Sequence, residues 1–150
     1  IAEKFGRPVI FRGKKFFTFP SAGALKAVAK LKKCGVGFRA RYIAGVNSQV
    51  DDKWFAKLKE VPYEKAKEKL MALPGIGEKV ADCICLFSLG FTESFPVDVW
   101  VERAVKELYP DAKKMKLRQM GKFGREKWGK MAGYAQQYLY HWRRLHGHAR

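Results

Sequence analysis

Lys79 stands where a helix is expected to begin, directly after a glycine-rich turn, in the stretch "LPGIGEKVADC" that spans residues 73–83. The exposed amides of a helix N-terminus carry partial positive charge, so a lysine in the first turn works mildly against folding. A residue that breaks a local rule at such a landmark is a candidate for function. The first turn of an apolar helix is expected to desolvate the amine partly and to set it against the helix dipole, and both effects favour its neutral form. A neutral amine can attack an electrophilic sugar carbon. That chemistry needs a carboxylate to stabilise positive charge on the sugar. Asp98 follows nineteen residues later, after one helix and one loop, which is enough chain to fold back. Each residue also has a plainer reading, Lys79 as one more phosphate contact and Asp98 as a helix N-cap. For Asp98 the two roles are compatible.

The turn has the form hydrophobic-Pro-Gly-hydrophobic-Gly between two helical patterns, the layout of a helix-hairpin-helix. Gly75 and Gly77 carry no Cβ, so the backbone can tighten and phosphate oxygens can reach bare amides at the second helix's start. Such a device grips a nucleic-acid backbone without reading its sequence. By itself the string is equally an ordinary tight interhelical turn, and composition separates the two. The chain has 31 Lys and Arg against 14 Asp and Glu, a formal net charge of +17 and a pI near 10.0. Such an excess calls for a polyanionic partner, nucleic acid before an anionic membrane surface. No basic amphipathic helix with a clean apolar stripe supports the membrane.

No apolar run approaches the length of a membrane span, and Ile1–Pro8 does not have the pattern of a signal peptide. Cys34, Cys83 and Cys85 leave one thiol unpaired in any disulfide scheme, which fits a reducing, intracellular compartment better than secretion. Three cysteines cannot supply a four-cysteine iron–sulfur cluster. Cys34 and Cys85 read as small buried hydrophobes.

The 150 residues, 47% hydrophobic, suit one mostly helical domain with a single small β-hairpin near the N-terminus. "RPVIFRGKKFFTFPS" (7–21) alternates around Gly13 as a two-stranded hairpin. Ser21 is expected to cap a helix through Leu31, followed by helices over 38–50 and from Asp51 to Lys59. Pro62 starts a fourth helix, which carries the chain into the turn; the helix-hairpin-helix covers about 62–89. Its second helix, Lys79–Leu89, is expected to be apolar and central to the core. After the loop "GFTESFP", Asp98 opens a helix to Leu108, and helices over 117–131 and about 132–145 precede a frayed tail, "HGHAR".

Lys79, Cys83 and Phe87 recur every fourth residue and so share one side of a helix, as do Gln136 and Tyr140 on the last helix. A glutamine amide can both donate to and accept from a purine edge, and a tyrosine ring offers a stacking plane. Ordinary packing remains the alternative for Phe87 and Tyr140, and a solvated position for Gln136.

"LPGIGEKVADCICLFSLG", the "FPVDVW" that follows and the upstream "GVGFRARYI" closely resemble the 8-oxoguanine DNA glycosylases of the helix-hairpin-helix superfamily, from about Phe5 to about Trp142. The resemblance implies a bifunctional glycosylase and lyase acting on damaged double-stranded DNA. Lys79 then matches the catalytic lysine that attacks the anomeric carbon, expels the base and forms a Schiff base, after which β-elimination can cut the strand. Asp98 matches the aspartate that stabilises the oxocarbenium-like sugar. Gln136 matches the reader of the flipped base and Tyr140 its stacking partner, opposite Cys83 and with Phe87 on the same face. Phe38 matches an aromatic wedge and Arg39 a contact to the opposite base. Trp100 stands where relatives place a phosphate-binding histidine. The carbonyls of Met71, Leu73 and Ile76 match a site for a monovalent cation, Na+ or K+; no other cofactor is required. The family's opposite-base asparagine, its N-terminal sheet domain and the glycine that reads the N7 hydrogen are expected to precede Ile1, in a missing N-terminal segment. The chain is expected to act as a monomer. A glycosylase for oxidised pyrimidines and a non-catalytic DNA-binding module are the competing readings.

Overall fold

The structure, a computed structural model, describes residues 1–147. The last three residues of the expected frayed tail lie outside the described residues, whereas His146 still belongs to the final helix. The chain divides into two compact units, residues 1–60 with 72–75, and residues 61–71 with 76 onward.

The first unit opens with a short helix, α1 (Ala2–Phe5), and the expected hairpin, β1 (Pro8–Phe11) and β2 (Lys14–Phe17), in which Val9 faces Phe16 and Phe11 faces Lys14. Arg12 and Gly13 close it at φ 47° and 72°, the left-handed pair whose twist matches a two-residue hairpin loop. The helix expected from Ser21 does not form. Gly23 turns left-handed at φ 81°, and the Leu25 amide donates to Asn47 Oδ1 at 2.7 Å instead of to a helical carbonyl. Helix α2 is therefore confined to Val28–Leu31, and it runs into a wide turn at Lys32–Val36. Helices α3 (Arg39–Gln49) and α4 (Asp52–Lys57) match expectation, and Asp51 caps α4 by accepting the Trp54 amide at 2.6 Å. Leu25, Leu31 and Ala40 form the core of this unit. The glycine turn packs on α3: a Cβ on Gly75, at φ 76°, would fall 2.4 Å from Tyr42 Cγ, and one on Gly45 would fall 2.9 Å from Pro74. Only glycine allows both that backbone and that approach.

The second unit holds α5 (Tyr63–Met71), α6 (Glu78–Ile84), α7 (Val99–Leu108), α8 (Leu117–Trp128) and α9 (Ala132–His146). Helix α6 widens into a π-helical turn, Cys85–Leu89, which ends at left-handed Gly90. The helix expected over Lys79–Leu89 as apolar and central to the core gives the core one side only: Ala81, Cys85 and Leu89 are buried, while Lys79, Val80 and Phe87 face solvent. Helices α7 and α9 pack together around Val101, Val105, Met120, Ala132 and Leu139. Ser94, Phe95, Pro96 and Val97 are also buried, so the segment leading to Asp98 belongs to the core rather than to a mobile surface loop.

Phe95 stacks on Trp128 with centroids 5.4 Å apart, and Gly124 of α8 lies directly beneath its ring. A Cβ on Gly124 would stand 2.4–2.6 Å from three Phe95 ring atoms, whereas one on Gly121 meets nothing nearer than 3.4 Å. Gly124→Ala should therefore lower stability by ~1–3 kcal/mol through overpacking. Gly121→Ala should hold or slightly raise the melting temperature, because alanine favours a helix. Thermal unfolding followed by circular dichroism checks the pair; equal melting temperatures for the two variants would contradict the packing described.

Candidate active site

Asp98 precedes α7, and its Oδ1 accepts both the Trp100 amide at 3.0 Å and the Val101 amide at 2.9 Å. These are two of the donors a helix N-terminus leaves unsatisfied. The cap ends on one oxygen, leaving Oδ2 outside it. The buried segment before it is pinned from two sides. Ser94 Oγ donates to the Asp82 carbonyl at 2.9 Å, and the Gly133 amide, in the first turn of α9, donates to the Thr92 carbonyl at 2.8 Å. A side chain on Gly133 would strike Leu86 and that same carbonyl.

Lys79 lies in the first turn of α6, after the extended N-cap Gly77, which offers no side chain to the helix start. The expected partial desolvation is not found, because Lys79 is exposed. The cause is the phase of the helix. Ala81, Cys85 and Leu89 turn inward, which leaves the Lys79, Cys83 and Phe87 side open, Cys83 half-buried and Phe87 61% exposed. Lys79 lines a cavity of about 430 Å³ with Met71, Asp82, Val97, Arg118 and Arg125. Of the other residues expected at the site, Asp98, Cys83, Phe87, Gln136 and Tyr140 are not among those lining it.

On α9, Gln136 is only 5% exposed, which removes the solvated alternative; its Oε1 accepts from Gln137 Nε2 at 2.6 Å. Tyr140, one turn on, is half-buried against the core, and its hydroxyl accepts from Arg144 at 3.0 Å. Trp100 carries the guanidinium groups of Arg103 and Arg144 over its ring, at 5.6 and 5.8 Å. In the first unit Phe38 is 71% exposed, with Tyr42 edge-on to its ring and the Arg39 guanidinium 5.0 Å from its centroid. Such a ring has the exposure a wedge requires.

The residues missed in the sequence are those around Asp82. It is 3% exposed and accepts from Tyr63 Oη at 2.5 Å and from Lys67 Nζ at 3.0 Å. Arg125 adds a longer bond to Tyr63 Oη at 3.4 Å. Burial, and then Asp82, push the Tyr63 hydroxyl well above the ordinary phenol range, so it stays a proton donor. The available signal was a lone carboxylate inside "VADCICL", preceded by Tyr63 and Lys67 one turn apart on the helix before. Among the described residues no group of His, Cys, Asp and Glu could hold a metal ion, and no helix is long and apolar enough to cross a membrane.

Two helices meeting at this turn, followed by a buried segment and an aspartate cap, define the fold of the helix-hairpin-helix DNA glycosylases, and the chain belongs to that family. No protein-family model matches the sequence. A probable N-glycosylase/DNA lyase of Methanothermobacter thermautotrophicus is 34% identical over 98% of this chain and 54% of its own length. The N-glycosylase/DNA lyase OGG1 of Arabidopsis thaliana is 37% identical over 85% of this chain and 39% of its own. The 8-oxoguanine glycosylase/lyase of Clostridium acetobutylicum, solved with double-stranded DNA containing cytosine opposite 8-oxoguanine, superposes with a TM-score of 0.89 at 34% identity, over 98% of this chain and 52% of that one. The chain thus spans about half the length, or less, of the proteins it matches.

The three thiols are unpaired and differently placed: Cys34 and Cys83 are half-buried, Cys85 fully buried. Cys34 is thus less enclosed than its sequence reading held. Burial, and next the Asp82 charge, push the Cys85 thiol up to about 12. Because the thiolate is the nucleophile, iodoacetamide at pH 8 should alkylate Cys34 and Cys83 in the folded protein and spare Cys85 until denaturant is added. Peptide mass mapping reads this directly, and early labelling of Cys85 would contradict its burial.

Proposed function

We propose that the chain carries the catalytic part of a DNA N-glycosylase and lyase that removes 8-oxoguanine from duplex DNA. The observation that carries this reading is the open first turn of α6, where the exposed Lys79 follows the exposed N-cap Gly77. Gly77 has no side chain and open space where a Cβ would stand, so that an anion can approach the amides of the helix start. Phosphate oxygens of the damaged strand would sit on those amides. The flipped nucleotide would then reach the Lys79 side of α6. Lys79 Nζ forms a bond to C1′ as the C1′–N9 bond breaks; the pair of electrons leaves with the base, which takes up a proton. Asp98 steadies positive charge on the sugar meanwhile. Ring opening and loss of the amine proton give the Schiff base, and removal of a C2′ proton expels the 3′ phosphate. The exposed amine gains its dry surroundings only when the nucleotide is seated against it.

In this reading Gln136 addresses the base edge and Tyr140 stacks on the base, with Cys83 and Phe87 on the facing side. Phe38 wedges into the duplex, Arg39 meets the opposite base, and Trp100 lies against a phosphate. The carbonyls of Met71, Leu73 and Ile76 would hold a monovalent cation. Met71 ends α5, so its carbonyl is one that a helix C-terminus leaves without an intrahelical amide. The protein would act as a monomer on the DNA of the cell.

The test is release of base from duplexes carrying 8-oxoguanine, thymine glycol or no lesion, with borohydride added to trap a covalent adduct. Release of 8-oxoguanine with trapping, both lost in Lys79→Gln while the fold persists, is the expected result. Binding without release or trapping would make the chain a DNA-binding module, and preference for thymine glycol would move it to oxidised pyrimidines. Separately, Gln136→Ala and Tyr140→Ala should reduce excision about tenfold or more, since stacking on one ring is worth ~1–3 kcal/mol. Affinity for undamaged duplex at matched salt should hold, because phosphate contacts dominate it. Equal losses on both DNAs would remove these residues from the base pocket.

A further inference from the structure

We propose that Asp82, together with Tyr63, Lys67 and Ser94, is a positioning device that sets the helix of Lys79 and the segment of Asp98 in fixed register. The proposal rests on the glycosylase reading above.

Asp82 lies three residues, just under one helical turn, after Lys79 and lines the same cavity, but it is 3% exposed where Lys79 is open to solvent. Its bonds leave α6 in two directions. Tyr63 and Lys67 reach it from α5, so the carboxylate ties together the two helices on either side of the glycine turn. Ser94, itself fully buried, donates to the Asp82 backbone carbonyl at 2.9 Å, with Oδ1 at 3.4 Å as its second acceptor. Four residues after Ser94 comes Asp98, and Phe95, Pro96 and Val97 between them are all buried. A buried, close-packed segment transmits a displacement at one end to the other. The first turn of α6 and the cap of α7 are therefore both referred to one residue.

A general hydrophobic anchor would hold two helices together with less risk. A carboxylate and an ammonium at 3.0 Å, with side chains 5% and 13% exposed, are costly to separate and specific in geometry. The phenol adds directionality, since its proton is kept by burial and donated to Oδ1. Such a constellation defines one arrangement where an apolar contact would allow several. Catalytic groups need that precision, as a misplacement of about 1 Å can cost roughly a hundredfold in rate.

The two halves of the device separate by chemistry. Base release requires Lys79 and Asp98 together, whereas Schiff-base formation at a preformed abasic site requires only the amine. Ser94→Ala removes the tie to the Asp98 segment and leaves Asp82, Tyr63 and Lys67 in place. It should slow single-turnover release of 8-oxoguanine about tenfold while borohydride trapping at an abasic site stays within about twofold of wild type. Asp82→Asn presents an amide donor to the Lys67 ammonium and should slow both reactions, with duplex affinity at matched salt unchanged. Circular dichroism at the assay temperature establishes folding, and Ser94→Ala decides the matter by itself if Asp82→Asn does not fold. Ser94→Ala that is unimpaired in both reactions, or equally impaired in both, overturns the proposal while leaving the glycosylase reading intact. A wild-type protein inactive in both reactions overturns that reading and this one with it.

Discussion

A carboxylate taken out of water must be compensated where it lies, and that of Asp82 is compensated by Tyr63 and Lys67 of α5. Ser94, from the segment before α7, donates to the backbone carbonyl of the same residue, with Oδ1 at 3.4 Å. Removing one partner of such a buried pair typically destabilises by ~3–5 kcal/mol, which is a large share of a small domain's stability. Helix α6 cannot rotate about its axis without losing these bonds. Its phase is thereby set: Ala81, Cys85 and Leu89 inward, Lys79, Cys83 and Phe87 outward. The open side of α6, on which the proposed chemistry depends, is the consequence of what its buried side must satisfy.

The charge distribution complements that arrangement. Between Lys4 and Val50 the sequence holds no carboxylate, whereas the carboxylates of the second unit are largely engaged in ion pairs with its own cations. The excess of positive charge is therefore least compensated along the first unit, which also presents the exposed Phe38 ring and Arg39. Exposed cations of this kind add salt-sensitive, sequence-independent affinity. In the proposed reading, selectivity for a lesion comes from buried, directional groups such as Gln136.

How far the sequence was legible varies residue by residue. The Asp98 helix ran to Leu108 as expected, because an N-cap aspartate and a following proline mark its ends strongly. The helix expected from Ser21 was misjudged because its fate turned on Asn47, twenty-two residues from the amide it captures, and no local pattern reports such a bond. Lys79, Asp98 and the glycine turn stood out because each breaks or satisfies a local rule of helix ends. Asp82 did not, since a single acidic residue in an apolar helix reads as tolerable until its partners from α5 and the Ser94 segment are seen around it. The exposure of Lys79 was misjudged for the same reason: the helix is apolar on average, but its phase is fixed by contacts distant in sequence.

The central claim is that the amine on the open turn of α6 is the one that joins the sugar. After incubation with 8-oxoguanine duplex and borohydride, nuclease and protease digestion followed by mass spectrometry locates the retained sugar remnant on a single peptide. The account predicts that remnant on the Nζ of Lys79 and nowhere else. Its attachment to the neighbouring Lys67, to the N-terminal amine or to any other lysine would contradict it.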